Sequence, residues 1–178
     1  MTKQSSNQSQ ASLHTISVLV ENLPGVLARV TSLFARRAFN IDSLSVSPTE
    51  KHNISRLTVT AHIESLPLSQ LKNQLNKLLH VLKVDELEPE TLAEREIALI
   101  KLSISAAERS AVLEIVRMFH ARVIDVDNDY MTIEAADQHY RIDSLLVLLE
   151  DFGIIEFIRS GSIALSRTNE AFTKGIAE

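Results

Sequence analysis

The chain has 178 residues, of which 45% are hydrophobic and 23% charged, a composition ordinary for a globular protein. Its net charge is −5, which argues against an extended nucleic-acid interface, because such binding depends on clustered Lys and Arg. The absence of cysteine excludes disulfides, thiolate metal sites and a cysteine nucleophile, and is compatible with the cytoplasm.

The N-terminal segment 1–11 is polar and rich in Ser and Gln, so we expect a disordered tail and no secretory signal. No apolar run approaches the roughly 20 residues that a helix needs to cross a bilayer, so we expect no membrane partner.

In the first half of the chain, segments whose apolar residues alternate as in a strand are interspersed with segments whose apolar residues recur every three or four positions, as in a helix. The predicted elements are a strand over 13–20, a helix over 25–37, strands over 40–47 and 57–63, a helix that begins at Pro67 and continues to Leu79, and a strand over 81–87. This β-α-β-β-α-β order is the split βαβ plait, so we predict a ferredoxin-like domain over 12–88.

A polar stretch, 89–95, contains Pro89 and is predicted to be a linker. The pattern then repeats, with predicted strands over 97–103, 123–126, 131–135 and 154–158 and helical stripes over 112–119 and 142–149; the apolar residues 163–165 continue the last strand or pair beside it. The fold class is therefore α+β, with a second plait over 96–168 and a tail over 169–178.

The junction between the first strand and the first helix has the clearest potential to bind a ligand. Asn22 can cap the helix, and Pro24 is suited to its first turn. Gly25 lacks a Cβ atom, and the free N–H groups of a helix start favour a carboxylate. Val26 and Leu27 suit a small apolar side chain, so a branched-chain amino acid fits both features. Most such helix starts bind only water, and the residues alone leave both interpretations open.

No sequence motif supports catalysis or metal binding. Phosphate-binding glycine loops, nucleophile elbows and paired metal-ligand histidines are all missing. Glu94 and Glu96 lie in or beside the predicted linker, a poor place to hold an acid and a base in fixed geometry. We therefore predict a non-catalytic protein without a metal site.

Each predicted plait has about 75 residues, a size at which a single core is thin. A four-stranded sheet with both helices on one face also leaves its edges available for pairing. We therefore expect a homodimer.

Several segments carry a resemblance to a known family. They are HTISVLVENLPGVLARV (14–30), LFARR (33–37), FNIDSL (39–44), ISRLT (54–58), QLNKL (74–78), EREIALIK (94–101) and RSGSIALSR (159–167). Over about residues 12–168 the chain closely resembles the regulatory (small) subunit of acetohydroxyacid synthase, also called acetolactate synthase.

The resemblance implies an N-terminal ACT domain and a C-terminal ACT-like domain, in a cytoplasmic homodimer that pairs its N-terminal domains edge to edge. It implies a role in the biosynthesis of valine, leucine and isoleucine, in which the small subunit does no chemistry. The partner is the large catalytic subunit, which carries thiamine diphosphate, Mg²⁺ and FAD; this chain carries no cofactor. The small subunit raises the partner's activity and confers feedback inhibition, chiefly by valine.

The resemblance also implies an effector site at the dimer interface. Its residues are Asn22, Gly25, Val26 and Leu27 of one chain with Asn40 and Ile41 of the other. The amides around Gly25 to Leu27 would bind the carboxylate, the two asparagines would bind the ammonium group and the remaining polar atoms, and Ile41 would contact the aliphatic side chain.

Ala38 departs from the family pattern, which commonly has glycine there. A glycine would suit a left-handed helix end, which costs any other residue on the order of 1 kcal/mol. Ala38 therefore predicts either a different helix ending or tolerated strain beside Asn40.

The alternative function is a free-standing tandem-ACT amino-acid sensor that regulates transcription or another enzyme. It would use the same site, but only the regulatory subunit needs a surface for a large catalytic partner, and the segments 94–101 and 159–167 favour that function. A small plait-fold enzyme or RNA-binding protein is disfavoured by the acidic charge and the missing motifs.

Overall fold

The structure, a computed structural model, describes residues 12–176 apart from residue 64, and it does not describe the side chains of residues 65–67. The described residues divide into two compact units: the first contains residues up to Leu92 and from Ser166 onward, and the second is Ala93–Leu165. The predicted tail 1–11 lies outside the described residues. The predicted tail 169–178 belongs, as far as it is described, to the first unit.

The first unit has the predicted β-α-β-β-α-β order. Its elements are β1 (Ser12–Glu21), α1 (Val26–Arg36), β2 (Ile41–Pro48), β3 (Ile54–Ile63), α2 (Ser65–Leu75) and β4 (Val81–Leu87). The strands form one antiparallel sheet in the order β2-β3-β1-β4, so β2 and β4 are its edges. The prediction that α2 continues to Leu79 is wrong, because the chain turns after Leu75 and Leu79 is 67% exposed.

One face of this sheet packs against both helices. Alternate residues of β1, such as Val18, point towards this core because successive side chains of a strand face opposite sides. Val30 and Phe34 of α1 and Leu71 of α2 cover them and are almost completely buried. The helical spacing of these residues in the sequence thus fixes which side of the sheet the helices occupy.

The second unit repeats the plait. Its elements are β5 (Leu92–Ser103), α3 (Arg109–Met118), β6 (Arg122–Val126), β7 (Tyr130–Asp137), α4 (His139–Leu149), β8 (Ile154–Arg159) and β9 (Ile163–Ser166). The strand order is β6-β7-β5-β8, and β9 pairs with β5. The apolar residues 163–165 therefore pair beside another strand rather than continue β8.

Corresponding backbone bonds occur in the two units. The amide of Glu21, at the end of β1, donates to the carbonyl of His80 at 2.9 Å. The amide of Ser103, at the end of β5, donates to the carbonyl of Gly153, also at 2.9 Å. Both acceptor residues have positive φ, 71° and 72°, and each directly precedes the last strand of its plait. The repeat is therefore one of backbone geometry, with different side chains.

Glu96 corrects one sequence expectation. It lies within β5 and is 2% exposed, so the expectation that it is poorly fixed is wrong. Its carboxylate lies 3.2 Å from Nη1 of Arg159 and 3.3 Å from Nδ1 of His139. These cationic and polar partners balance the buried charge, so Glu96 is a structural residue of the second unit.

Across the described part of the chain, no helix is both long and apolar enough to cross a bilayer.

Candidate functional site

The corner between β1 and α1 differs from the prediction in how the helix begins. Gly25, with a left-handed φ of 82°, occupies the cap position, and no side chain caps α1. Pro24 therefore lies before the helix instead of in its first turn. Asn22 does not act as a cap, because it lies three residues before the cap position; its backbone amide donates instead to the carbonyl of Asn53 at 2.7 Å. Both predicted roles are wrong.

Three amide groups at this corner have no backbone acceptor within the described residues, those of Gly25, Leu27 and Ala28. Their neighbours are engaged: the amide of Val26 donates to Leu23 at 3.4 Å and that of Arg29 to Gly25 at 3.2 Å. The first turn of a helix leaves such donors free by geometry, and the helix dipole adds positive potential there. The corner can therefore bind an anion such as a carboxylate.

The side chains around these amides form a small apolar surface. Leu23 is 47% exposed and Leu27 is 41% exposed. Val26, which was predicted to contact a ligand, has its side chain in the core and offers only its backbone. A Cβ atom at Gly25 would have no heavy atom within 4 Å among the described residues, so open space lies in front of it. Glycine is needed there for its φ.

Asn40 and Ile41 lie at the opposite end of α1 from this corner. The helix has 11 residues, which separates its two ends by about 16 Å. Asn40 is exposed, and its Nδ2 donates to Oδ1 of Asp42 at 3.5 Å, while Ile41 is half-buried against the core. One chain thus brings Asn22, Gly25 and Leu27 together but leaves the other two predicted residues apart.

The end of α1 shows which of the two conformations predicted for Ala38 occurs. Ala38 has φ of 56°, so alanine occupies the left-handed position that favours glycine. The amide of Phe39 donates to the carbonyl of Phe34 at 3.1 Å, and that of Ala38 donates to Ala35 at 3.0 Å. These two bonds are the Schellman motif that ends many helices. The structure thus has the tolerated strain of the two predicted alternatives, at a residue two positions before Asn40.

The corresponding corner of the second unit, between β5 and α3, is closed by its own side chains. Glu108 Oε2 accepts from the amide of Ser105 at 2.8 Å and from its hydroxyl at 2.6 Å, and the hydroxyl bond is the first cause that lowers the pKa of Glu108. Arg109 donates to the carbonyls of Asp127 and Asn128, both at 2.7 Å. The open corner is therefore a feature of the first unit.

Comparison with known proteins assigns the family. A family model described as an AHAS small subunit-like ACT domain matches residues 16–83, and one described as the small subunit of acetolactate synthase matches residues 95–168. The acetolactate synthase small subunit of Mycobacterium leprae is 50% identical over 154 residues, which cover 86% of this chain and 91% of that protein. The chain belongs to the acetolactate synthase small-subunit family.

Two other proteins of this family match a similar share of this chain at lower identity. The probable acetolactate synthase small subunit of Methanothermobacter thermautotrophicus is 43% identical over 155 residues, covering 86% of this chain and 92% of that protein. The crystal structure of the acetolactate synthase small subunit from Thermotoga maritima is 34% identical, with a TM-score of 0.81 over 89% of this chain and 99% of that one. The predicted resemblance and the two-plait fold are confirmed.

Within this small subunit, sequence reasoning found the open corner but missed two of its parts. Leu23 was not singled out, although it is more exposed than Leu27. The amide of Ala28 was also missed, although the position of Ala28 in the first turn of α1 is a signal that could have found it.

Proposed function

We propose that the chain is the non-catalytic regulatory subunit of an acetolactate synthase holoenzyme. It binds the large catalytic subunit, raises its activity, and confers feedback inhibition by valine or another branched-chain amino acid. Catalysis belongs to the partner, for which the family resemblance implies thiamine diphosphate, Mg²⁺ and FAD. Membership of the small-subunit family supports this proposal.

The observation that carries the effector site is the row of free amides at Gly25, Leu27 and Ala28. A carboxylate bound there receives charge-assisted hydrogen bonds at the positive end of a helix, where each bond is stronger than a neutral one. Leu23 and Leu27 provide the apolar surface for the aliphatic side chain of valine. Asn22, whose side chain makes no hydrogen bond within the described residues, is free to bind the ammonium group.

The sheet topology supports a site shared between two chains. Strand β2 is an edge, and Asn40 and Ile41 lie at its beginning. When two copies pair β2 against β2 in antiparallel fashion, the beginning of one strand lies beside the end of the other. Asn40 and Ile41 of a second copy then approach the level of the corner at Gly25, which one chain cannot achieve across the length of α1. The homodimer therefore completes the site.

A shared site couples the effector to the subunit interface. Valine that contacts both copies stabilises one arrangement of the dimer, and a catalytic subunit that prefers another arrangement opposes its binding. By thermodynamic linkage, the catalytic subunit and valine change each other's affinity by the same factor. Such a factor typically corresponds to a coupling free energy of about 1–3 kcal/mol.

The test is an acetolactate assay with the purified large subunit of the same organism. Addition of this chain is expected to raise the rate, and valine is expected to reduce the stimulated rate. A crystal structure with excess valine should show it between Gly25 of one copy and Asn40 of the other. No stimulation and no response to valine would reject the proposal.

A further inference from the structure

The C-terminal segment Ser166–Ile176 lies on the face of the first sheet that points away from the helices. On this far face, Leu19 of β1 pairs with Arg56 of β3 and Lys83 of β4. The ring of Phe172 lies over this row, 5.2 Å from the guanidinium carbon of Arg56 and 4.4 Å from Nζ of Lys83. Lys83 also donates to the carbonyl of Phe172 at 3.1 Å. The segment is thus held by specific contacts.

A cavity of about 370 Å³ lies between the C-terminal segment and the far face. Its walls include Ser17 and Lys83 from the sheet and Phe172 and Glu170 from the segment. This volume falls at the lower end of the range typical of small-molecule sites. All of the lining residues belong to the first unit, so the cavity is complete within it.

Ser17 is the reason to assign a ligand to this cavity. It is 1% exposed, and its hydroxyl has no hydrogen-bond partner within the described residues. Buried hydroxyls are paired in native proteins, because an unpaired one loses its bonds to water without replacement. The hydroxyl lines the cavity, so a bound molecule with a polar atom would satisfy it.

The charges around Ser17 are divided by sign. Lys83 and Arg56 lie at one side of the cavity, and burial lowers the pKa of the Arg56 guanidinium, as expected for a cation with little water around it. Asp85, two residues from Lys83 along β4, pairs directly with Ser17 across the sheet. Its Oδ1 accepts from the amide of Glu86 at 3.0 Å and lies 3.8 Å from Nζ of Lys72, a distance at which the ion pair is weak, so Oδ2 has no partner among the described residues. The cavity therefore offers a positive row at Arg56 and Lys83, a carboxylate at Asp85, and the Ser17 hydroxyl directly beside that carboxylate.

We infer that this cavity is a second small-molecule site, which takes a small polar zwitterion of the amino-acid class. Its carboxylate lies towards Lys83 and Arg56, its ammonium group towards Asp85, and the hydroxyl of its side chain bonds to the Ser17 hydroxyl. A simple anion would meet Asp85 and Glu88, and a simple cation would meet Lys83 and Arg56, so neither matches both sides; Glu170 is paired with Lys174 at 2.8 Å. The site is distinct from the corner at Gly25, because α1 lies on the other face of the sheet.

The test uses the full chain labelled with ¹⁵N and three probes: L-serine, acetate and methylammonium. L-serine is expected to shift the amide signals of Ser17, Lys83 and Phe172 in a saturable way, and the two singly charged probes are expected to bind much more weakly. Ser17→Ala should weaken L-serine binding about tenfold, the usual effect of one lost bond to a ligand. The matched control is Ser45→Ala, on the same face but outside the cavity, and it should not change the affinity.

Three results would overturn the inference. Absence of saturable shifts with all three probes would mean that the cavity holds only water. Acetate binding as tightly as L-serine would mean an anion site, and equal losses in Ser17→Ala and Ser45→Ala would place the ligand elsewhere. Inhibition by valine bound at the corner should be unchanged in Ser17→Ala. The binding experiment on the cavity and the valine-inhibition assay therefore test the two proposals independently.

Discussion

The amide of Phe39 donates to the carbonyl of Phe34 at 3.1 Å across an alanine in the left-handed conformation. The bond ends α1 and brings two aromatic side chains of the same core together. It requires Ala38 to keep φ at 56°, where its Cβ atom is crowded against its own backbone. The strain at Ala38 therefore lowers the stability of the fold two residues before the predicted effector residue Asn40.

We predict that Ala38→Gly raises the free energy of unfolding by about 0.5–1 kcal/mol, because glycine removes the left-handed strain but adds freedom to the unfolded chain. Urea denaturation measures the change. Ala35→Gly, inside the same helix, is the control and should lower the free energy of unfolding by about 1 kcal/mol. If Ala38→Gly were equally destabilising, the left-handed ending of α1 would be wrong.

The order of elements was predictable from the sequence because local periodicity encodes it. The predicted strand 13–20 and helix 25–37 differ from β1 and α1 by one residue at each end. The capping of α1 by Asn22 was mispredicted because a contact with a residue distant in the chain places Asn22 elsewhere. Asn22 pairs with Asn53 across the sheet, and the cap position then falls on Gly25.

The place of the C-terminal segment could not be predicted for the same physical reason. Phe172 and Thr173 lie in a short polar stretch without periodicity, yet both make specific contacts within the first unit. Their partners, Lys83 and Glu50, are far away in the chain. Side chains with such distant partners leave no local signal. The proposed pairing of two β2 edges has no local signal either, so the prediction that Asn40 and Ile41 act from a second chain came from the family resemblance and not from the sequence pattern.

We predict that Gly25→Asp abolishes inhibition by valine and leaves stimulation of the catalytic subunit intact. The new carboxylate lies in open space beside the free amides, where it competes with and repels the carboxylate of valine. The valine concentration for half-inhibition should rise more than about tenfold, which corresponds to about 1.4 kcal/mol. Acetolactate assays over a valine titration measure this shift.

The control for this substitution is Gly25→Asn. Asparagine has nearly the same size as aspartate, is neutral, and tolerates the left-handed backbone of Gly25. It should reduce the valine response less than aspartate does. Equal losses in the two variants would show that charge is not the reason, and the carboxylate would then have to bind elsewhere.

We predict that Arg159→Met destabilises the protein by about 3–5 kcal/mol. The substitution removes the Arg partner of the buried Glu96 carboxylate and leaves His139 as its remaining partner. Arg159 also binds Asp143, so one side chain joins β8 to α4. Arg122→Met is the control: the Arg122 side chain in its pair with Glu134 is exposed to water, so its removal should destabilise the protein far less than Arg159→Met does. Thermal and urea unfolding compare the two, and similar small losses would contradict a buried ion pair at Glu96.

We predict that acid loosens the C-terminal segment through Glu50. The Thr173 hydroxyl donates to the Glu50 carboxylate, and this bond is the first cause that lowers the pKa of Glu50 below its ordinary value. A lowered pKa in the folded state means that the carboxylate contributes stability above the ordinary pKa of about 4.3, which is lost as the pH falls through the lower folded value. NMR titration of the Glu50 carboxyl carbon and the Thr173 amide should therefore show both moving together below that pH. In Glu50→Gln the Thr173 amide should no longer titrate, since an uncharged acceptor replaces the carboxylate. A Thr173 signal that titrates equally in both proteins would place its acid sensitivity in another group.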